Sequence, residues 1–168
     1  PNRMNMAVVT RAAAAIARWV HEHHPAGGAG PSVAVCFDAR HRSAEFAEVS
    51  AEVFAAAGIR AMVLPGPLPT PVLAFAVREL GADAGVMVTA SHNPPEDNGY
   101  KVYDGSGRQI VPPVDVDIAA AMVAVERVVA VPRTGPDDPD IVRLDGSIVE
   151  SYVDAAVGLV EAGGPRDV

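Results

Sequence analysis

Ser91 stands in the heptapeptide Thr89-Ala90-Ser91-His92-Asn93-Pro94-Pro95, and Asn98-Gly99-Tyr100-Lys101 follows close behind, so a hydroxyl and an amine lie ten positions apart. That combination suits a serine that carries a phosphoryl group and a lysine that moves a proton. The apolar run Gly85-Val86-Met87-Val88 reads as a buried strand, and the two prolines after Asn93 prevent a helix from following it directly. Ser91 is therefore expected on a loop leaving a strand, where the scaffold fixes position and the loop exposes the reactive group.

Other readings of the same residues carry less. His92 adjoins Ser91, but neighbours in extended backbone point to opposite sides, which argues against a Ser-His dyad. Neither Thr89 nor Asn93 is the glycine that a Gly-x-Ser-x-Gly elbow needs, so a serine hydrolase ranks third. In the plainest reading Ser91, His92 and Asn93 merely bond their own turn. The specificity of the whole string argues against that. For Lys101 two readings stand: a solvated lysine on an edge strand, or an ammonium turned back by Asn98-Gly99 into the serine's pocket for proton transfer.

Asp38-Ala39-Arg40-His41-Arg42-Ser43 leaves an earlier strand at its carboxyl end, the edge from which Ser91 departs if the two strands are parallel. Ligands of open α/β sheets gather at that edge. Arg40 could hold an anion through its planar fork or pair structurally with Asp38, and the sequence leaves both open. His21, His23 and His24 bring metal to mind, but without a partner motif the attraction of cations to a helix C-terminus is sufficient explanation. The glycines at 27, 28 and 30 precede a strand and so make no dinucleotide fingerprint, and no P-loop string occurs.

The elements that must position these groups are marked out by proline and glycine. Helical spacing covers residues 4–23, with Val8, Ala12, Ala15, Ile16 and Trp19 on one face. A strand is expected over Ser32 to Phe37. Ser43 then caps a helix whose buried stripe is Phe46, Val49, Val53, Phe54 and Ala57, ended by Gly58. A second strand covers Ile59 to Leu64, and the proline-rich turn from Pro65 to Pro71 is expected to permit neither helix nor ladder. Then come a helix from Val72 to Leu80, a strand from Ala84 to Thr89 and a short strand from Tyr100 to Tyr103. The last follows too closely for a crossover and should run antiparallel. A helix from Val114 to Val129, an exposed connector through Asp140 and a helix from Ser147 to about Val160 complete the chain. The fold class is α/β, three layers α/β/α around a mixed, mostly parallel four-stranded sheet. Residues 1–140 form the main unit, and residues 141–168 read as a connector and helix leading to another domain.

Composition sets the limits. The 168 residues are 49% apolar and 5% aromatic, enough for one soluble core. Thirteen basic and twenty-one acidic residues give a net charge of −8, and no basic cluster could neutralise a nucleic-acid backbone. Every apolar tract is interrupted by charge, so no membrane span or signal peptide is expected. Cys36 is the single cysteine and lies in an apolar run, which suits a reducing compartment and a cytoplasmic location.

Through Thr89 to Pro95, Asn98-Gly99-Tyr100-Lys101-Val102-Tyr103, Asp38-x-Arg40-x-x-Ser43 and Pro69-Thr70-Pro71, the chain resembles domain I of the α-D-phosphohexomutase superfamily, the phosphoglucomutases and phosphomannomutases. The similarity covers nearly the whole chain. It implies that Ser91 carries the phosphoryl group, that Lys101 is a candidate general acid/base, that His92 and Asn93 shape the loop and that Arg40 helps line the site. It further implies Mg²⁺ with a phosphate oxygen on Ser91 among its ligands, glucose 1,6-bisphosphate as activator, hexose phosphates as substrates and the remaining domains of the enzyme as partners. The family's opening Gly-Thr-x-Gly-x-Arg-Gly segment, metal loop, sugar-specificity loop and phosphate-binding domain are absent from these residues. The chain is therefore expected to be one domain of a longer enzyme and inactive alone, the alternative being a non-catalytic phosphosugar-binding or assembly domain.

Overall fold

The computed structural model describes residues 4–23 and 30–159. Helix α1 (Met6–His23) begins where the Asn5 side chain accepts the Val8 N–H at 3.1 Å, a local cap. Its alanine-rich face, with Val9, Ile16, Trp19 and Val20, is buried. Strand β1 (Ser32–Phe37) follows, then α2 (Ser43–Ala56), β2 (Arg60–Pro67), α3 (Thr70–Glu79), β3 (Ala84–Val88) and β4 (Tyr100–Asp104). Helix α4 (Val114–Ala124), a 3-10 turn at Val128–Ala130, strand β5 (Ile141–Arg143) and helix α5 (Ser147–Gly158) complete the described chain.

The sheet order is β4-β3-β1-β2-β5. β1 pairs in parallel with both β2 and β3, β2 pairs in parallel with β5, and β4 is antiparallel to β3 as its short connection requires. Alternation along the strands divides the core into two layers. Val33, Val35, Ala61, Val63, Val86 and Val102 face α1 and α2, with Phe46, Phe54 and Ile16 among the largest side chains there. Ala34, Cys36, Met62, Leu64 and Met87 face α3, where Leu73 and Val77 are buried. Each fully buried large side chain contributes about 1.5–3 kcal/mol of apolar transfer. Gly85 is needed on the second face, because a Cβ there would lie 2.4 Å from Val77 Cγ2.

Several sequence expectations need correction. The sheet has five strands instead of four, because Ile141–Arg143 joins the edge of β2; three residues in a polar stretch are too short to display a period. The proline-rich turn does enter a ladder and a helix: β2 runs through Pro67, which pairs with Phe37 after a register shift, and α3 begins at Thr70 with Pro71 in its first turn. Proline at a strand end and at a helix start needs no N–H of its own. Ser43 opens α2 without capping it; Arg42, at φ 64°, holds the cap position and makes no side-chain cap bond. Helix α4 stops at Ala124 instead of reaching Val129, within a valine-rich stretch of poor helix propensity. The reading of residues 141–168 as a connector and helix leading to another domain is not among these corrections. Of that stretch, the described residues place β5 at the sheet edge and α5 on the α3 side, where Ile148 is buried and Tyr152 meets Phe75 edge to face at 5.6 Å between centroids. His24, Gly27, Gly28 and the end of the last helix at Val160 lie outside the described residues.

Candidate active site

The chain passes from β1 to β2 on one side and then to β3 on the other, so the loops leaving β1 and β3 meet at a point where the winding reverses. A crevice at that edge is the expected binding place of such a sheet. Both sequence motifs, 38–43 and 89–101, arrive there.

Ser91 is exposed on the loop after β3 and has φ 57°, the left-handed region that non-glycine residues enter only when their surroundings hold them there. Its N–H donates to Thr89 Oγ1 at 3.0 Å. The turn closes on itself through Asn93 N–H to the Ala90 carbonyl and Asp97 N–H to the Pro94 carbonyl, and Asn93 Nδ2 donates to Asp97 Oδ2 at 3.2 Å. His92 and Asn93 are exposed beside the serine.

The two loops are tied together. Arg40 donates from Nε to Asp38 Oδ2 at 2.9 Å and from its terminal nitrogens to the carbonyls of Ser91 (2.5 Å), Asn93 (2.7 Å) and Pro94 (2.6 Å). His41 N–H reaches the Pro95 carbonyl, and Asn98 Nδ2 donates to the His41 carbonyl at 2.6 Å. The Ser43 hydroxyl lies 2.8 Å from both Asp38 Oδ1 and Asn98 Oδ1, so a fully buried side chain shares its one proton between the two loops. Burial pushes the Asp38 carboxyl up, but hydrogen bonds from Thr89, Ser43 and Arg40 outweigh that and hold it below the usual carboxylate range. Asp38, Ala39, Arg40, Asn93 and Pro95 line an open cavity of about 250 Å³.

Of the residues singled out from the sequence, Ser91, His92, Asn93 and Arg40 are thus brought together. Of the two readings of Arg40, the pairing with Asp38 is present, and the rest of the guanidinium meets backbone carbonyls of the serine loop. Lys101 lies on β4 opposite Met87, at the end of the β3-β4 pair that carries the loop, half-buried and without a hydrogen-bonding or ionic partner among the described residues. Tyr100, its neighbour, turns to the other face, where its buried phenol bonds Ser50. Sequence reasoning offered Asp38 only as a partner of Arg40 and missed Thr89 and Asn98 as parts of the hold. For those two a signal existed in their types, short polar side chains beside the two loops, but not in their partners. Of the helix-end histidines, the two that are described have partners within the fold: His21 Nε2 meets the Ala57 carbonyl and His23 Nδ1 the Trp19 carbonyl, each at 2.9 Å. Gly99 belongs to the site as well, because a Cβ there would lie 2.9 Å from the Thr89 carbonyl oxygen.

Residues 1–128 match the family model described as phosphoglucomutase/phosphomannomutase, alpha/beta/alpha domain I. The chain belongs to that family. A "Probable phosphomannomutase" of Haemophilus influenzae is 42% identical over 163 residues, 94% of this chain and 32% of the relative. A phosphoribomutase of Saccharomyces cerevisiae is 42% identical over 127 residues, 73% of this chain and 20% of its own. Among solved structures, a "putative phosphomannomutase" from Thermus thermophilus superposes with a TM-score of 0.75 at 31% identity, covering 95% of this chain and 33% of that one. The phosphoglucomutase/phosphomannomutase domain described here therefore spans about a fifth to a third of the length of these relatives. Among its described residues no helix is long and apolar enough to cross a membrane.

Proposed function

We propose that this domain supplies the phosphoserine of a phosphohexomutase that interconverts hexose 1-phosphate and hexose 6-phosphate together with further domains of the same enzyme. The observation that carries the reading is Ser91 itself, an exposed hydroxyl held in a left-handed turn at the carboxyl edge of the sheet. In the first transfer the sugar's 6-hydroxyl oxygen attacks phosphorus on phospho-Ser91, the bond from phosphorus to Oγ breaks, and the sugar's proton passes to a base while Oγ takes one up. The bisphosphorylated sugar reorients. Ser91 Oγ then attacks phosphorus at the 1-position, the anomeric oxygen leaves with a proton, and hexose 6-phosphate departs from a rephosphorylated enzyme. Lys101 is the group of this chain proposed to move those protons, and His92 and Asn93 shape the loop around Ser91. Catalysis of this kind rests on placement and electrostatics more than on covalent assistance from the protein.

No group of three or more His, Cys, Asp or Glu side chains that could hold a metal occurs among the described residues. The contribution of this chain to a Mg²⁺ site would therefore be the phosphate on Ser91, with the carboxylates coming from elsewhere in the enzyme. Such an ion would offset negative charge on the group in transit. Glucose 1,6-bisphosphate would act as activator by restoring phosphate to Ser91 after loss of the intermediate. A cytoplasmic setting fits Cys36, whose buried thiol is pushed up to about 12 and so is kept from thiolate chemistry.

Ser91→Ala in the complete enzyme is expected to abolish turnover of glucose 1-phosphate and mannose 1-phosphate. Near-normal turnover would overturn the assignment, and calorimetric binding of glucose 1,6-bisphosphate without phosphoryl transfer in the wild type would favour a binding domain in its place.

A further inference from the structure

We propose that Arg40 is a positioning residue for Ser91, one arm of a two-sided hold anchored on Asp38, and that it does not grip the sugar phosphate; this rests on the phosphoserine reading above. The guanidinium has five N–H donors. Four contacts already occupy it, to Asp38 Oδ2 and to the carbonyls of Ser91, Asn93 and Pro94, and the side chain is only 12% exposed. One donor at most is left for an anion, too few for the bidentate grip that makes arginine a good phosphate ligand.

The other arm is Thr89. Its hydroxyl accepts the Ser91 N–H at 3.0 Å and hydrogen-bonds the Asp38 carboxylate. Both backbone polar groups of Ser91 are therefore held, the N–H by Thr89 and the carbonyl by Arg40, and both holders end on the same carboxylate. Asp38 is itself fixed by the Arg40 N–H at 3.1 Å and the buried Ser43 hydroxyl at 2.8 Å. Such a hold is what a non-glycine residue at φ 57° requires, since that conformation persists only where neighbours over-determine it. A lysine at position 40 could not span three carbonyls and a carboxylate with one point-like ammonium.

The test uses the complete enzyme with glucose 1-phosphate or mannose 1-phosphate, whichever the wild type turns over faster, primed with glucose 1,6-bisphosphate. Arg40→Lys is expected to lower kcat on the order of a hundredfold, the scale set by a misplacement of about 1 Å, while KM stays within about threefold because no substrate contact is lost. Thr89→Val, which keeps the side-chain shape and so guards against misfolding, should show the same split, and Thr89→Ser should restore kcat. A rise in KM at unchanged kcat in Arg40→Lys would make Arg40 a substrate ligand and overturn the proposal. Wild-type kinetics in Thr89→Val would overturn it equally. Ser91→Ala is run alongside: if it is inactive, those outcomes bear on the hold alone, whereas an active Ser91→Ala removes the phosphoserine reading itself.

Discussion

The loops leaving β1 and β3 are joined by a dense set of directional bonds, whereas the outer face of α4 has almost none. At the first, Arg40, Ser43 and Asn98 connect residues distant in sequence, and Asp38 accepts from Arg40, Ser43 and Thr89. At the second, Ile118 is the buried residue of the helix, while Val116 and Val123 are 60% and 83% exposed. Apolar contact is non-directional and tolerates small shifts, so it suffices where a helix only has to cover α1. Holding a hydroxyl to a fraction of an ångström requires hydrogen bonds, whose strength falls steeply with angle and distance. The two regions thus separate the part of the domain that must be placed from the part that must only be folded.

The largest effect on stability should come from forcing the placed region. Gly99→Ala puts a methyl 2.9 Å from the Thr89 carbonyl oxygen, a backbone atom that cannot turn aside as a side chain could. Overpacking of that kind costs about 1–3 kcal/mol, and here the strain falls on the residue that bonds Ser91. Urea unfolding should show a lowered midpoint, with an unchanged slope. A midpoint equal to wild type would mean that the loops move freely relative to each other and that the comparison drawn above is wrong.

A smaller effect, visible only in acid, isolates Asp38. Its carboxyl is held below the usual range in the folded chain, so it stabilises the fold above the unfolded value and that stabilisation is lost as pH falls through the folded value. With an unfolded value of about 3.9, the difference in stability between wild type and Asp38→Asn should be constant above about pH 5 and should shrink below about pH 4. Denaturant titrations across that range measure it directly. A difference independent of pH would place the hold in geometry alone, without contribution from the carboxylate charge.

What could be read from the sequence follows the same division. The strand before Ser91, the helix stripes of Phe46, Val49, Val53 and Phe54, and the antiparallel return at Tyr100 were legible because burial imposes a period within a few residues. The heptapeptide around Ser91 was legible as a loop because its prolines act locally. Ser43 was not: a serine before an apolar run has the form of a helix cap, and only the fold brings Asn98, 55 residues away, to its hydroxyl. The guanidinium of Arg40 was ambiguous for the same reason, since the loop carbonyls it meets belong to a segment more than fifty residues on. β5 was missed because its three residues carry no period, and its place depends on the free edge of β2.

The smallest effect should lie on α4, and it tests the other half of the comparison. Val123 is 83% exposed in the last turn of the helix. Valine and serine have similar helix propensities, so Val123→Ser exchanges an unburied methyl pair for a hydroxyl with little conformational consequence. The change in unfolding free energy is expected within about 0.5 kcal/mol of zero. A loss well above that would mean that Val123 is covered by something when the protein is folded. In that case α4 would be an interface, and its sparse contacts within this domain would reflect a partner surface instead of a loose requirement for position.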